Sequence, residues 1–237
     1  ECMRVCLVTS APIPPAEGIG YHVWNLAKEI QRRNHRATIV TRGGRGLHSI
    51  ESRDGIEIYR APYAPIYPFH VHLHGLFVNR LIRRLEGEFD IVNAHMPLAP
   101  PIRSRTPVVT TVHSLMRADS AQTHGRDLRS WAIRLQTPIS HGLEQSQFRR
   151  SAAITTVARW VADEIVKDTS DQKTTVVTGN GVEERFLTMG NARTANPCVL
   201  YVGRLERGKG LLDLVEAARQ LCSTGHYPNL QYLVVGE

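Results

Sequence analysis

Two cationic side chains lie five residues apart in a glycine-rich segment near the end of the sequence, where they could bind phosphate groups. Arg204 and Lys209 belong to residues 203–210, between an apolar run and a segment of helical periodicity, and the segment reads Gly-Arg-Leu-Glu-Arg-Gly-Lys-Gly. A strand-to-helix turn places free backbone N–H groups beside such cations. Arginine binds phosphate oxygens as a two-pronged fork, and lysine binds them as a point charge. The spacing therefore predicts a diphosphate site, with an ordinary solvated turn as the alternative.

Two histidines occupy the ends of predicted β-strands. His95 ends an apolar run at 90–95, and His113 ends another at 108–113. In an open α/β sheet, ligands bind at the carboxyl ends of the strands. We therefore expect His95 and His113 to lie beside a ligand rather than only to fill the core.

An earlier glycine segment, residues 16–21, follows the first predicted strand and precedes a predicted helix. Its Gly18 and Gly20 lie where backbone N–H groups and the positive end of a helix could receive an anion. A dinucleotide-binding motif needs a third glycine and an acidic residue after the second strand, but Arg42 stands there. The pattern disfavours NAD, leaves NADP open through Arg42, and is equally compatible with a plain turn before a helix.

Other chemistries have weaker support in the sequence. The chain has 11 histidines, and His70, His72 and His74 alternate, but this stretch continues at helical spacing and has no carboxylate or cysteine cluster beside it. We therefore expect no metal site there. A P-loop, a nucleophile elbow and a nucleic-acid module with interleaved aromatic residues are all missing from the sequence, so phosphotransferase, hydrolase and nucleic-acid-binding functions are disfavoured.

The candidate site residues must be positioned by regular secondary structure. Strands and helices are predicted to alternate along nearly the whole chain. This alternation is typical of an α/β fold, here a Rossmann-like parallel sheet with helices on both faces. Residues Val23, Leu26, Ala27 and Ile30 have the spacing of an amphipathic helix. A second helix is predicted from Leu211, Leu214, Val215, Ala218 and Leu221. The predicted strands are 4–9, 36–41, 56–60, 90–95, 108–113, 153–158, 174–178, 198–203 and 231–235.

Composition agrees with a folded domain of this kind. The chain has 237 residues, of which 42% are hydrophobic and 22% charged, and its apolar runs are far shorter than the ~20 residues of a membrane-spanning helix. Cys198 and Cys222 lie far from Cys2 and Cys6, and a short strand would keep Cys2 and Cys6 too far apart for a disulfide, so we expect a reducing compartment. The start of the chain does not have the pattern of a secretory signal, and Met3 follows Glu1-Cys2, so we expect cytoplasmic residence.

The positive charge lies in the first part of the chain. Residues 1–182 contain 23 Lys and Arg against 16 Asp and Glu, whereas 183–237 contain 6 of each, which accounts for the net charge of +7. We place a first domain at 1–182, a linker at 183–196 and the start of a second domain at 197–237. With one strand, one helix and one more strand, the second domain is expected to be truncated, because so short a segment rarely buries enough surface to fold alone.

Taken together, the motifs resemble those of retaining family-4 glycosyltransferases of the GT-B fold. The similar segments follow the order of that family: Gly18-Ile19-Gly20, Asn34-His35, residues 90–95, residues 109–113, residues 179–183 and residues 203–210. The resemblance covers the whole chain and corresponds to the acceptor-side domain and the opening of the donor-side domain. The sequence differs from the family pattern at Asn34, Ala158 and Glu183.

The resemblance implies transfer from a nucleotide-diphosphate sugar without a metal ion or other cofactor. It assigns Arg204 and Lys209 to the donor diphosphate, His113 to catalysis, and Gly18, Gly20 and His95 to the acceptor side. Asn180 is expected to shape the turn between the domains. The acidic pair of the family would lie beyond residue 237, so we expect the chain by itself to be inactive.

Two alternatives stay open, a non-catalytic acceptor-binding module and a sugar-nucleotide epimerase on the GT-B scaffold. The expected partners are a nucleotide sugar and a carbohydrate or lipid-linked acceptor, and not nucleic acid. Residues 70–86 also combine Leu73, Phe77, Leu81 and Leu85 with three arginines, a basic amphipathic pattern. It predicts either peripheral contact with an anionic membrane or one more helix packed on the sheet.

Overall fold

The computed structural model of the chain describes residues 2–43, 49–64, 70–116, 128–168, 174–188, 190, 196–205 and 209–236. Side chains are described throughout these ranges except at position 72 and positions 128–136. The chain divides into two compact units, Glu1–Glu183 and Glu184–Glu237. We call them unit 1 and unit 2 and describe each by itself.

The described part of unit 1 alternates strands with helices. The helices are α1 (Gly18–Arg32), α2 (His70–Arg84), α3 (Leu128–Arg150) and α4 (Arg159–Asp168). The strands are β1 (Arg4–Val8), β2 (Arg36–Arg42), β3 (Ser49–Arg53), β4 (Ile56–Ala61), β5 (Ile91–Met96), β6 (Val108–Val112), β7 (Ala153–Thr156) and β8 (Thr175–Val177).

These strands form one sheet in the order β3-β4-β2-β1-β5-β6-β7-β8. All neighbours are parallel except β3, which pairs antiparallel with β4 at the edge. The chain leaves β1 towards β2 on one side, and later returns to place β5 on the other side. This change of direction makes the carboxyl ends of β1 and β5 a topological switch point, the usual ligand site of such sheets. The predicted α/β class is confirmed.

The sheet is covered on both faces because neighbouring residues of its central strands point to opposite sides. In β1, Cys6 and Val8 belong to a cluster that includes Val78 and Ile82 of α2. Leu7, between them, belongs to a second cluster with Val23 and Trp24 of α1. A third cluster packs Phe148 of α3 and Val161 and Ile165 of α4 against β6 and β7. The continuous apolar runs in the sequence are therefore explained by burial on both faces.

Helix α1 follows the predicted apolar spacing. Val23 and Ala27 are fully buried, and Leu26 and Ile30 pack on the same cluster from its margin. The charged face is exposed, where Glu29 pairs with Arg32 and Arg33 at 2.7 Å each. The apolar stripe thus holds α1 on the sheet and fixes the position of its first turns.

Unit 2 contains, among its described residues, helices α5 (Glu184–Thr188) and α6 (Leu211–Thr224) and strands β9 (Cys198–Val202) and β10 (Gln231–Val235). The two strands pair in parallel, Cys198 opposite Gln231. Helix α5 lies inside the 183–196 range predicted to link the domains. In 184–188, 190, 196–205 and 209–236, every residue is at least partly accessible to solvent.

Two further expectations from the sequence concern disulfides and membrane-spanning helices. Cys2, Cys6, Cys198 and Cys222 are all free thiols, and burial raises the pKa of Cys6 well above its usual value. Among the described helices, none has the length and apolar character needed to cross a membrane.

Candidate functional site

Three histidines meet at the carboxyl edge of the sheet in unit 1. His95 lies near the end of β5, and His113 directly follows β6, the neighbouring parallel strand. The backbone N–H of His113 donates to the Met96 carbonyl at 3.0 Å, which extends the pairing of the two strands. His22 lies in the second turn of α1, the helix that follows β1 along the chain. We call His22, His95 and His113 the histidine cluster.

The three rings contact one another directly. Nδ1 of His95 lies 3.2 Å from Nε2 of His113, within hydrogen-bond distance. The ring centre of His22 is 4.7 Å from that of His113 and 5.5 Å from that of His95, both in edge-to-face orientation. The cluster is therefore a single packed group and not three independent side chains.

Burial keeps these imidazoles neutral. His95 is fully buried, while His22 and His113 are partly exposed. Removal from water, together with the nearby His22, lowers the pKa of His113 to about 4. The pKa of His95 is lowered well below its usual value by burial and then by the other two histidines. Burial also lowers the pKa of His22.

Neutral imidazoles at the edge of the sheet can act as hydrogen-bond donors and acceptors for a bound hydroxyl group. Each neutral ring carries one N–H and one lone pair, so it can receive a proton or orient a polar ligand. The partly exposed His113 can contact a ligand, whereas the buried His95 contacts the His113 ring. The structure thus brings together the two histidines predicted from strand ends.

Asn180 adds a fourth side chain that the motifs alone did not connect to this site. Its side chain hydrogen-bonds with His22, which partly offsets the lowering of the His22 pKa by burial. Asn180 was expected to shape a turn between the domains. That role stays a prediction; the structure shows its hydrogen bond with His22, more than 150 positions away along the chain.

The two glycines at the start of α1 differ in their surroundings. A Cβ at Gly20 would lie 3.2 Å from the Pro12 carbonyl oxygen and 3.2 Å from Cβ of Pro15, so the helix approaches this loop closely. A Cβ at Gly18 would meet nothing within 4 Å. Gly20 therefore has a packing reason to be small, and it lies two residues before His22. The acceptor-side role of both glycines stays a prediction.

The alternating histidines lie at the start of α2, as their helical spacing predicts. His74 is fully buried, and its Nδ1 lies 3.0 Å from the Pro62 carbonyl oxygen. Its ring also packs edge-to-face on Tyr63 at 5.4 Å between centres. The side chain of His72 lies outside the described residues.

In unit 2, Arg204 and Lys209 flank the turn between β9 and α6, and both are exposed. The Tyr201 hydroxyl donates to the Arg204 carbonyl at 2.9 Å, which holds the start of this turn. Gly210 precedes α6 with φ of 74°, a left-handed conformation that favours glycine. Residues 206–208 of the predicted diphosphate motif lie outside the described residues, and the binding role of Arg204 and Lys209 stays a prediction.

Comparison with known proteins gives a family match. The sequence model described as Glycosyltransferase Family 4 matches residues 16–186, about 70% of the chain, including the whole histidine cluster. A search of curated proteins found no significant match.

Several solved structures share the fold at low sequence identity. The catalytic domain of starch synthase IV from Arabidopsis thaliana, bound to ADP and acarbose, matches with a TM-score of 0.60 and 14% identity, over 100% of this chain and 69% of its own. The UDP-forming α,α-trehalose-phosphate synthase from Burkholderia vietnamiensis matches with a TM-score of 0.66 and 12% identity, over 100% and 64%. HepE from Anabaena, in complex with UDP and glucose, matches with a TM-score of 0.58 and 14% identity, over 98% and 60%. The chain thus spans 60 to 69% of the length of these three structures.

Proposed function

The chain belongs to Glycosyltransferase Family 4, and we propose that the complete protein transfers a sugar from a nucleotide-diphosphate sugar to an acceptor. The observation that carries this proposal is the histidine cluster at the switch point of the sheet, within the residues that match the family. Buried neutral imidazoles beside a ligand edge suit the handling of sugar hydroxyl groups. The GT-B fold of the structural neighbours agrees with this assignment.

On the acceptor side, we assign catalysis to His113. Its pKa of about 4 keeps the ring uncharged near pH 7, so it interacts with a sugar or acceptor hydroxyl through a hydrogen bond and not as a cation. His95, stacked beside it with ring centres 5.5 Å apart, holds its orientation. Gly18 and Gly20 lie in the first turn of the helix that carries His22, and we assign this turn to the acceptor side.

On the donor side, we assign the diphosphate to Arg204 and Lys209. In the transfer step, the acceptor oxygen bonds to the anomeric carbon while the bond from that carbon to the diphosphate oxygen breaks. The electron pair of that bond leaves with the diphosphate oxygen, and the proton of the acceptor hydroxyl passes to the departing diphosphate. Fixed cations and helix N–H groups can stabilise that charge without a metal ion or a cofactor.

We propose that the anomeric configuration of the sugar is retained, as the resemblance to retaining enzymes implies. The two alternatives differ in measurable products. A sugar-nucleotide epimerase would change the sugar of the donor without an acceptor, and a binding module would release no nucleotide diphosphate. Proton NMR of the complete protein mixed with donor and acceptor distinguishes the transferase, the epimerase and the binding module. It also gives the anomeric configuration of a transferred sugar.

The donor assignment is tested by Arg204→Ala and Lys209→Ala in the complete protein. Each substitution should lower kcat by about two to three orders of magnitude, because a contact that strengthens in the transition state is lost. Arg219→Ala is the matched control, since Arg219 is an exposed arginine of the same unit that pairs with Glu216 at 2.7 Å. Near wild-type turnover in Arg204→Ala would remove the donor assignment and favour the binding module.

We also propose peripheral contact of unit 1 with an anionic membrane at its cytoplasmic face, where a lipid-linked acceptor would be found. Helix α2 packs Val78, Leu81 and Ile82 on the sheet, so the membrane interpretation concerns only its outer face. That face exposes Leu76 and Phe77, which are 67% and 41% accessible. Three exposed arginines follow on the same face: Arg80, Arg83 and Arg84.

A further inference from the structure

The histidine cluster has the composition and spacing of a transition-metal site. One ring nitrogen from each of His22, His95 and His113 lies within 4.8 Å of the other two. Within the described parts of the chain, this is the sole group of three or more His, Cys, Asp or Glu side chains with ligand atoms this close together. Three imidazoles without a carboxylate favour zinc, copper or nickel and disfavour Mg²⁺ or Ca²⁺.

The separation of the nitrogen atoms agrees with coordination. Two nitrogens bound to one tetrahedral ion at 2.0–2.1 Å lie about 3.3 Å apart. Nδ1 of His95 and Nε2 of His113 are 3.2 Å apart. A ring nitrogen of His22 lies within 4.8 Å of both other nitrogens and is the third ligand of the group.

We propose that the histidine cluster binds a divalent transition metal of the zinc type, and that this binding inhibits the transferase. Three histidine ligands leave a fourth position of a tetrahedral ion for solvent, and the partly exposed His22 and His113 provide access to it. The inhibition rests on the proposed function, because the metal takes the lone pair that His113 would offer to a hydroxyl group. The binding itself does not depend on that function.

The protonation of the cluster supports this proposal. Burial lowers the pKa of all three imidazoles, so each ring is neutral near pH 7 and has a lone pair to give. The hydrogen bond between His95 and His113 breaks when a metal binds. His95 keeps its net charge if its proton moves from Nδ1 to Nε2, so no charged ring is buried in the exchange.

The hydrogen-bond partners of the three histidines determine how tightly we expect the metal to bind. Metal-binding histidines usually donate their second N–H to an acceptor that fixes the ring. Asn180 hydrogen-bonds with His22, but the buried Nε2 of His95 has no partner in the structure. We therefore expect reversible binding that is weaker than in a structural zinc site, which suits inhibition that a chelator can reverse.

The test uses Co²⁺ as a visible probe of the untagged 237-residue chain, with reduced cysteines. We expect one Co²⁺ per chain with the intense d–d bands of a tetrahedral ion, displaced by Zn²⁺ and not by Mg²⁺. His22→Gln should lower the affinity at least about tenfold, and it removes a partly exposed ligand without opening the core. His113→Gln, a second ligand variant, should give the same loss.

His35→Gln is the matched control. His35 directly precedes β2, at the opposite end of the strands from the histidine cluster, and accepts a hydrogen bond from the Met3 backbone N–H at 3.1 Å. The Co²⁺ spectrum of the His35→Gln variant should equal that of the unaltered chain. Absence of tetrahedral bands in the unaltered chain, equal affinity in His22→Gln, or loss of the bands in His35→Gln would overturn the proposal. Because no donor or acceptor is needed, this result is independent of whether the complete protein transfers sugar.

Discussion

His113 is the residue whose substitution should affect the proposed chemistry most directly. It directly follows β6, lies partly exposed beside the buried His95, and is neutral near pH 7. In the complete protein, His113→Ala should lower kcat about a hundredfold, because a hydrogen bond to the reacting sugar or its acceptor is lost. Steady-state kinetics with saturating donor measures this change.

A thermal melt of the same variant separates chemistry from folding. His113 lies outside the apolar cluster that contains Val112 and Phe148, so we expect a smaller change in Tm than truncation of Phe148 would cause. Unchanged turnover together with a clear loss of thermal stability would show that His113 fills space and does not act on substrate.

For single residues, the sequence analysis predicted two of the three members of the histidine cluster. His95 and His113 could be found because each ends an apolar run, and parallel strands end at a common edge. His22 gave no such signal, since it follows a glycine turn on a helix and its distance from His95 depends on the order of strands in the sheet. Asn180 was recognised as part of a motif, but its contact with His22 required the fold.

Among the elements, the start of α1 determines where His22 lies. Gly20→Ala would place a methyl group 3.2 Å from the Pro12 carbonyl oxygen, a backbone atom that cannot rotate away. We expect it to lower the free energy of unfolding by about 1 to 2 kcal/mol. Chemical denaturation of the chain measures this difference.

Gly18→Ala is the matched control for that substitution. A methyl group at Gly18 meets nothing within 4 Å, and alanine restricts the unfolded chain more than glycine does. We expect no loss of stability, or a gain of about 0.5 kcal/mol. Equal destabilisation by both substitutions would contradict the close approach at Gly20.

Helix α2 carries the proposed membrane contact on its outer face. Replacing Arg80, Arg83 and Arg84 by Gln should reduce partition onto anionic vesicles about a hundredfold, at about 1 kcal/mol for each basic side chain near the surface. Cosedimentation with vesicles of increasing anionic lipid content measures it, and added salt should weaken it. Arg32→Gln with Arg33→Gln is the control, since Glu29 already pairs with both arginines. Equal binding to neutral vesicles would refute the contact.

Of the elements of unit 1 that the sequence analysis did not predict, strand β3 and helix α3 were missed for clear physical reasons. Strand β3 lies at the edge of the sheet, and its one apolar residue, Ile50, is 68% exposed, so it has no apolar alternation to detect. Helix α3 contains Pro138 and has no clear apolar stripe in its sequence. The central strands were found with boundaries within two residues, because burial on both faces requires continuous apolar runs.

At the scale of the whole chain, the two units differ in how much side-chain surface they bury. Unit 1 contains three clusters of fully buried apolar residues around its sheet. In the described residues of unit 2, the side chains are all at least partly exposed, including Leu200, Val202 and Leu233, which are 59%, 71% and 53% accessible. The positive charge also belongs to the first part of the chain, so the electrostatic field of unit 1 favours anionic partners.

This difference predicts that the units have unequal local stability. A sheet of two strands is marginal in water unless other elements cover it, and β9 and β10 are the strands that the structure describes in unit 2. Hydrogen exchange followed by mass spectrometry should show backbone amides of β9 and β10 with protection at least about a hundredfold lower than those of β1 and β5. Strands β1 and β5 serve as the internal reference, because they lie at the centre of the larger sheet. Equal protection in both units would mean that β9 and β10 are covered by contacts beyond those described.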